Sequence, residues 1–193
     1  MSDGGRELTV TTPTDREIVL TRAFDAPAGL VFDALTRPEL LRRWFGARGW
    51  QLVGCRIDLR VGGAWRFVSR GPGDEEMAHG GIYQVIEPAR RLVYTERYDD
   101  QSYPGETLID HRLVERAGVT TLTSTIRYAT PEGRDRVLRY PMRRGVSEGY
   151  HRLDDLLAER VAAPVTTPMT TVPGDRAGTG RRPNSTDAER QQP

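Results

Sequence analysis

The sequence has few of the features that mark secreted, membrane or metal-binding proteins. Its single cysteine, Cys55, excludes an internal disulfide, and without a leader-like apolar stretch we expect a cytoplasmic location. No apolar run approaches the length that spans a bilayer, and a net charge of +1 gives no reason to expect binding to nucleic acid or to a membrane. The three histidines lie far apart without metal-ligand spacing, so we expect no metal site.

Recognisable catalytic and cofactor motifs are also missing. The chain has no G-x-S-x-G elbow, no Walker loop and no dinucleotide fingerprint, so no cofactor is expected. Lysine is absent, and all basic residues are arginines. Because these arginines are scattered and balanced by acidic residues, they indicate a coding bias rather than one anion-binding surface.

Composition divides the chain of 193 residues into one domain and two tails. Residues 1–15 lack hydrophobic periodicity, which predicts a flexible N-terminal arm. Residues 161–193 are rich in Pro, Thr, Gly, Ser and Arg and have almost no large apolar residue, which predicts a disordered C-terminal tail. Residues 16–160 are therefore expected to form the folded domain.

Two strand-like runs meet at Gly62 and Gly63. Before the turn, apolar residues alternate with polar or small ones from Val53 to Leu59, and after it Trp65 and Phe67 share one parity. This alternation predicts strands with one buried face, and paired glycines are typical of a hairpin. Two large aromatic rings on one inward face either fill a core or line a pocket.

The predicted elements follow the order β-α-α-β-β-β-β-β-β-α, which indicates an α+β fold with an antiparallel meander. Asp25 is the expected N-cap of the first helix, and Thr36 and Glu39 have capping-box spacing at the start of the second. Residues 70–78 are interpreted as a turn and a mobile loop. The predicted strands are 17–24, 51–59, 64–69, 80–87, 91–98, 107–115 and 120–128, and the predicted helices are 25–35, 36–44 and 130–159.

The run from Asp58 to Phe67 resembles the signature of the domain named after the activator of Hsp90 ATPase (AHSA1-like), in the START-like, Bet v 1-like (SRPBCC) superfamily. The resemblance covers roughly residues 16–160 and implies a helix-grip fold. In that fold a curved antiparallel sheet wraps a long C-terminal helix, and two short helices follow the first strand. It identifies neither ligand nor reaction, because the superfamily includes transporters, cyclases and cochaperones. Outside this run, the positions that also resemble the family are Asp25–Pro27, Leu30–Ala34, Trp44–Gly46, Gly81–Tyr83, Arg91–Tyr94, Met142, Gly145, Gly149 and Leu153.

The last predicted helix carries a stripe of residues at three-to-four spacing that is expected to face the sheet. Gly145 and Gly149 lie in this stripe, where side chains should be bulkiest. They either leave room for a ligand or allow close packing between helix and sheet. Pro141 is expected to kink the helix. The stripe consists of Leu138, Met142, Gly145, Gly149, Leu153 and Leu156.

Strand alternation also assigns polar side chains to the interior. Glu96 shares its more apolar face with Tyr94 and Tyr98, while His111 and Ser124 lie on the more apolar faces of the last two strands. Neighbouring strands then bring Glu96 and His111 into one interior. Such a carboxyl–imidazole pair is either a functional site or a satisfied structural pair.

Three functions fit this reading of the sequence. The leading hypothesis is binding of a small apolar or amphipathic ligand in a cavity between the sheet and the C-terminal helix. The second is a cochaperone-like domain that binds a protein partner, and the third is a cyclase- or dehydratase-type enzyme with Glu96 and His111 as weak catalytic candidates. A monomer or a homodimer is expected. The predicted cavity residues are Trp44, Phe45, Trp65, Phe67, Tyr83, Tyr94, Glu96, His111, Ser124, Met142, Gly145, Gly149 and Tyr150.

Overall fold

A computed structural model describes residues 6–100 and 105–163 of the chain. Its strands are β1 (Thr9–Thr11), β2 (Glu17–Phe24), β3 (Gln51–Ile57), β4 (Ala64–Arg70), β5 (Glu76–Glu87), β6 (Arg91–Tyr98), β7 (Glu106–Arg116) and β8 (Val119–Tyr128). Its helices are α1 (Ala28–Thr36), α2 (Pro38–Trp44), α3 (Pro131–Leu138) and α4 (Met142–Ala162), and a single 3₁₀ turn spans Pro72–Asp74.

The strands form one curved antiparallel sheet in the order β1-β2-β8-β7-β6-β5-β4-β3. Helix α4 packs against α1 and α2 and closes the core over the sheet, where Tyr150 meets Phe24 edge to face at 5.4 Å between ring centroids. This arrangement is the α+β helix-grip fold that the sequence predicted. The core therefore lies between the sheet and the helices, and any internal site must lie there as well.

A buried charge anchors α4 to the sheet. The Arg22 side chain on β2 is only 3% exposed, and it pairs with Asp154 of α4. Its guanidinium also lies over the rings of Phe24 and Tyr150, at 5.4 and 5.9 Å from the ring centroids. Since a buried cation is costly without a partner, Asp154 fixes where α4 sits on the sheet.

The N-terminal segment is more ordered than its sequence predicted. Residues Thr9–Thr11, placed in a flexible arm, form the edge strand β1, in which Val10 pairs with Leu20 of β2. Leu8, just before the strand, is 4% exposed. A strand of three residues is too short to show a periodic pattern, which is why the prediction was wrong there. The predicted tail lies almost entirely outside the described residues.

The two short helices begin later than their predicted caps. The N-cap of α1 is Pro27 rather than Asp25, and the N-cap of α2 is Arg37, with no side-chain cap bond at either. The Thr36 hydroxyl donates instead to the Phe32 carbonyl at 2.8 Å, inside α1. The predicted capping box is therefore wrong, because Thr36 belongs to the end of the first helix.

The long predicted helix 130–159 is two helices. Thr130 caps α3 as expected, since its hydroxyl accepts a hydrogen bond from the Gly133 amide at 3.1 Å. The chain then leaves helical geometry at Pro141, which is the N-cap of α4. A proline inside a helix removes one amide donor and clashes with the preceding turn, and here it produces a complete break rather than the predicted kink.

A β-bulge changes the parity of β3. The register shifts between Leu52 and Gly54, so Leu52 and Cys55 are buried while Val53 is 43% exposed. The sequence had placed Val53 on the same face as Cys55. An extra residue in a bulge shifts the alternation by one, so the predicted face is wrong for Val53 and correct for Cys55.

The double glycine connects β3 to β4 and also contacts β5. Gly62 has φ +80°, and its amide donates to the Tyr83 carbonyl at 2.8 Å, while the Tyr83 amide donates to the Gly63 carbonyl at 3.0 Å. A Cβ on Gly63 would lie 2.1 Å from the Asp58 carbonyl oxygen. The turn is thus a loop held against β5, and both glycines are required by its geometry.

Candidate functional site

The interior contains a narrow cavity of about 210 Å³ beneath α2 and α4. Aromatic rings from both layers meet there, and Trp65 contacts Phe67 and Tyr94 edge to face at 4.8 and 5.2 Å between ring centroids. Most of the predicted cavity residues line this space: Trp44, Phe45, Trp65, Phe67, Tyr83, Tyr94, His111, Gly145, Gly149 and Tyr150.

A wide cavity of about 400 Å³ adjoins the narrow one. The two share Phe45, Gly46, Ala47 and Gly145 as a common wall. Among the predicted cavity residues, Met142 lines the wide cavity but not the narrow one. This second space was not predicted from the sequence, and its other walls include Trp50, Ser69, Met77, His79, Tyr98, Thr107, Ile126, Tyr128, Val137 and Tyr140.

The glycines of α4 pack against the segment Phe45–Ala47, not against the sheet. A Cβ on Gly145 would lie 3.3 Å from the Ala47 Cβ, and one on Gly149 would lie 3.3 Å from the Gly46 carbonyl oxygen. The Arg152 side chain donates to the Trp44 carbonyl at 3.0 Å and also to the Gly46 carbonyl. Close packing thus accounts for the glycines, but they pack against the segment after α2 and not, as the sequence predicted, against the sheet. This segment borders both cavities.

His111 belongs to a hydrogen-bonded chain in the core. Its Nε2 lies 2.9 Å from the Tyr94 hydroxyl and its Nδ1 lies 2.7 Å from the Ser124 hydroxyl. Ser124 also bonds to Tyr150. Burial lowers the pKa of His111 to about 4, so the ring is neutral near pH 7. Both of its nitrogens are therefore occupied by neutral hydroxyl partners.

The predicted Glu96–His111 pair is not formed. Glu96 lies opposite Thr107, whereas His111 lies opposite Leu92, so four residues of strand, or roughly 13 Å, separate them. Glu96 instead approaches His79, with 3.7 Å between the Glu96 carboxyl and the His79 Nε2. The prediction placed both side chains on the inward faces of their strands correctly, but it did not include the register between β6 and β7. Neither Glu96 nor Ser124 lines a cavity.

His79 is the polar residue at the centre of the aromatic cluster. It is 1% exposed, and its ring stacks on Tyr98 at 4.6 Å between centroids and meets Trp65 and Phe67 at their edges. Burial, together with the Arg66 guanidinium, lowers the pKa of His79 to about 4. Burial also raises the pKa of Glu96 to about 7. Near neutral pH, His79 is therefore uncharged and offers one donor and one acceptor.

Several buried polar atoms at these cavities have no hydrogen-bond partner among the residues that the structure describes. They are both ring nitrogens of His79, the Ser69 hydroxyl in the wide cavity, and the Trp65 indole nitrogen in the narrow one. Ser69 is 1% exposed and Trp65 is 4% exposed. Because folded proteins pair most buried polar groups, such atoms beside a cavity are candidates for ligand contacts.

His79 was missed because its surroundings looked like a loop, whereas Ser69 was overlooked although it shares the parity of Trp65 and Phe67 on the predicted strand 64–69. The predicted fourth strand began at Gly80, but the observed strand begins at Glu76 and brings His79 opposite Phe67. Continuing the alternation backwards from Tyr83 through Gly81 would have placed His79 on the inward face. The two adjacent glycines concealed this continuation.

Within the described ranges, no group of three or more His, Cys, Asp or Glu side chains is arranged to hold a metal ion. None of the described helices is both long enough and apolar enough to cross a membrane.

Comparison with protein families identifies the fold's relatives. Residues 25–158 match the model for activator of Hsp90 ATPase homolog 1-like proteins. The chain belongs to this family. The AHSA1-like match contains all of the cavity-lining residues named above. Among curated proteins, none matches the chain.

Solved structures extend the comparison. A protein from Rhodobacter sphaeroides is 35% identical with a TM-score of 0.75, and the match covers 79% of this chain and 99% of that one. A protein from Nitrosomonas europaea is 25% identical with a TM-score of 0.70, covering 79% of this chain and all of the other. The AHSA1 protein from Silicibacter pomeroyi is 19% identical with a TM-score of 0.60, covering 75% and 99%, and supports the fold alone. The AHSA1-like fold typically binds ligands or serves in Hsp90 cochaperone-like roles.

Proposed function

We propose that this chain binds a small amphipathic molecule in the paired cavities between the sheet and α4. The observation that carries the proposal is the combination of empty volume with unpaired polar atoms in the same interior. Protein cores are usually packed with few voids larger than a water molecule, whereas a wide cavity of about 400 Å³ has the size of a small-molecule site.

The chemistry of the walls supports an amphipathic ligand. Aromatic and other apolar side chains form most of the lining, so an apolar body would gain stability by leaving water. Ser69, His79 and Trp65 supply polar atoms that a ligand can satisfy. Mostly apolar walls with a few placed polar groups are typical of ligand pockets.

A neutral apolar fluorophore, N-phenylnaphthylamine, tests the proposal directly. Met142→Trp places a large ring at the wall of the wide cavity, while Arg143→Trp places the same ring on an exposed position of the same helix. We expect saturable binding to the wild type and to Arg143→Trp, and binding weaker by at least about tenfold in Met142→Trp. Native mass spectrometry of protein purified from its own host should also show a co-purified small molecule.

The proposal fails if the wild type shows no saturable binding of the fluorophore and carries no small molecule. It also fails if both tryptophan variants bind the fluorophore as the wild type does. Stimulation of an Hsp90 ATPase by a chain that binds no small molecule would support the family's cochaperone role instead.

A further inference from the structure

We propose that the wide cavity receives the polar end of the ligand, and that this end is an uncharged hydroxyl group bound between Ser69 and His79. The inference rests on the proposed function, which it refines from an amphipathic molecule to an alcohol. It follows from the position, the protonation state and the unpaired atoms of these two side chains.

Sheet register brings Ser69 and His79 to one place. Ser69 on β4 pairs with Met77 on β5, so His79, two residues further along β5, is its diagonal neighbour on the same face. Diagonal neighbours in a sheet lie about 7–8 Å apart between Cα atoms, which leaves space for one ligand group between the two side chains. Both residues line the wide cavity, and within residues 6–100 and 105–163 neither side chain has a hydrogen-bond partner.

Together, the two side chains offer a ligand hydroxyl both a hydrogen-bond donor and a hydrogen-bond acceptor. A neutral imidazole has one N–H donor and one bare nitrogen acceptor, and a serine hydroxyl both donates and accepts. In the narrow cavity, the Trp65 indole N–H is the one unpaired buried atom of the described lining residues, since both nitrogens of His111 are occupied. A group that donates and accepts is therefore matched best in the wide cavity.

Charged ligand ends fit this site poorly. No arginine is among the described residues that line either cavity, so a carboxylate would have no cation to pair with. No aspartate or glutamate is among the described lining residues either, so a ligand ammonium would lose hydration without forming an ion pair.

The test compares decyl compounds that differ only at the polar end. Decanol, decanoate, decylamine and methyl decyl ether compete against N-phenylnaphthylamine at about pH 8, where the acid is ionised and the amine is largely protonated. We expect decanol to displace the fluorophore at concentrations about tenfold below those of the other three. The ether is the matched control, because it keeps the chain length and an acceptor oxygen but has no donor.

Two variants assign the effect to the two side chains. Ser69→Ala and His79→Phe should each weaken decanol binding about five- to tenfold and weaken ether binding less, because the ether oxygen can only accept. His79→Phe keeps an aromatic ring to stack on Tyr98 while removing both nitrogens. Ser124→Ala is the matched control for Ser69→Ala, because Ser124 is 2% exposed but is paired and lines neither cavity.

Thermal melting separates a ligand role from a structural one. Ser69→Ala removes a buried hydroxyl that has no partner in the described part of the chain, so the melting temperature should stay constant or rise. Ser124→Ala leaves the His111 Nδ1 without its partner, so the melting temperature should fall while decanol affinity is retained.

The outcomes distinguish this inference from the proposed function. Equal displacement by all four decyl compounds overturns the hydroxyl site but leaves ligand binding in place. Tighter binding of decanoate or decylamine than of decanol also overturns it, as does a Ser69→Ala variant that melts lower and binds decanol normally. Absence of any fluorophore binding contradicts the proposed function itself.

Discussion

Replacing Glu96 by glutamine should make the protein more stable, by an amount that grows with pH. The folded chain raises the pKa of Glu96 from its ordinary 4.5 to about 7 because burial disfavours the charged form. The folded state therefore holds this proton more tightly than the unfolded state does. The stability that the neutral carboxyl contributes is fully present below pH 4.5 and is lost as pH rises through about 7.

The size of the effect follows from the same two values. At about 1.36 kcal/mol per pKa unit, the interval from 4.5 to about 7 corresponds to about 3 kcal/mol. The Glu96 side chain is only 18% exposed, so solvent screens little of this energy. Glutamine has a similar shape and cannot ionise. The difference in free energy of unfolding between Glu96→Gln and the wild type should therefore depend on pH. Relative to its value near pH 4.5, this difference should be larger by about 3 kcal/mol above pH 7, in favour of the variant.

Urea unfolding of both proteins across this pH range measures the difference. His79 and His111 act in the opposite sense, because burial lowers the pKa of each to about 4 and the stability they contribute is lost as pH falls from 6.5 through 4. They are present in both proteins and cancel in the difference. Glu75→Gln, at an exposed position before β5, controls for the substitution itself. A Glu96→Gln difference that stays constant with pH would refute the reasoning.

Three further predictions concern packing and the anchoring of α4, and urea unfolding measures each. Trp65→Ala should lower the free energy of unfolding by roughly 3–5 kcal/mol, because the ring is 4% exposed; a loss below about 1 kcal/mol would contradict its place in the core. Gly145→Leu should cost roughly 1–3 kcal/mol by pressing on Ala47, and Ala47→Gly in the same chain should recover part of the loss; no recovery would place the strain elsewhere. Asp154→Asn should cost roughly 2–3 kcal/mol by leaving the Arg22 cation buried without an anion, while Arg22→Met should cost less; the reverse order would show that the ion pair is not what anchors α4.

The general fold was accessible from the sequence because its signals are local. Alternation identified the meander strands, and the motif around Gly62 and Gly63 identified the family, which the family match confirms. The errors occur where one residue changes the local pattern. A bulge after Leu52 exposed Val53, and Pro141 divided one predicted helix into two.

The candidate site was only partly accessible because it depends on register. Parity alone placed Tyr94, Glu96 and His111 on inward faces, but pairing decides which of them meet. His111 came to lie beside Tyr94 and Ser124, and Glu96 beside His79. Register between strands is set by the hairpins and bulges along the whole meander, so no short segment of sequence contains it.

The contact between Arg152 and the carbonyls on either side of Phe45 has a kinetic consequence. Phe45 belongs to the wall between the two cavities, and its backbone is held to α4 by the guanidinium of Arg152. The backbone on both sides of the ring therefore cannot move away on its own while α4 remains docked. Uptake and release of any interior molecule that needs this segment to move would share a rate-limiting step with local opening of α4. Exchange rates of the molecule and of the α4 backbone amides should then change in parallel.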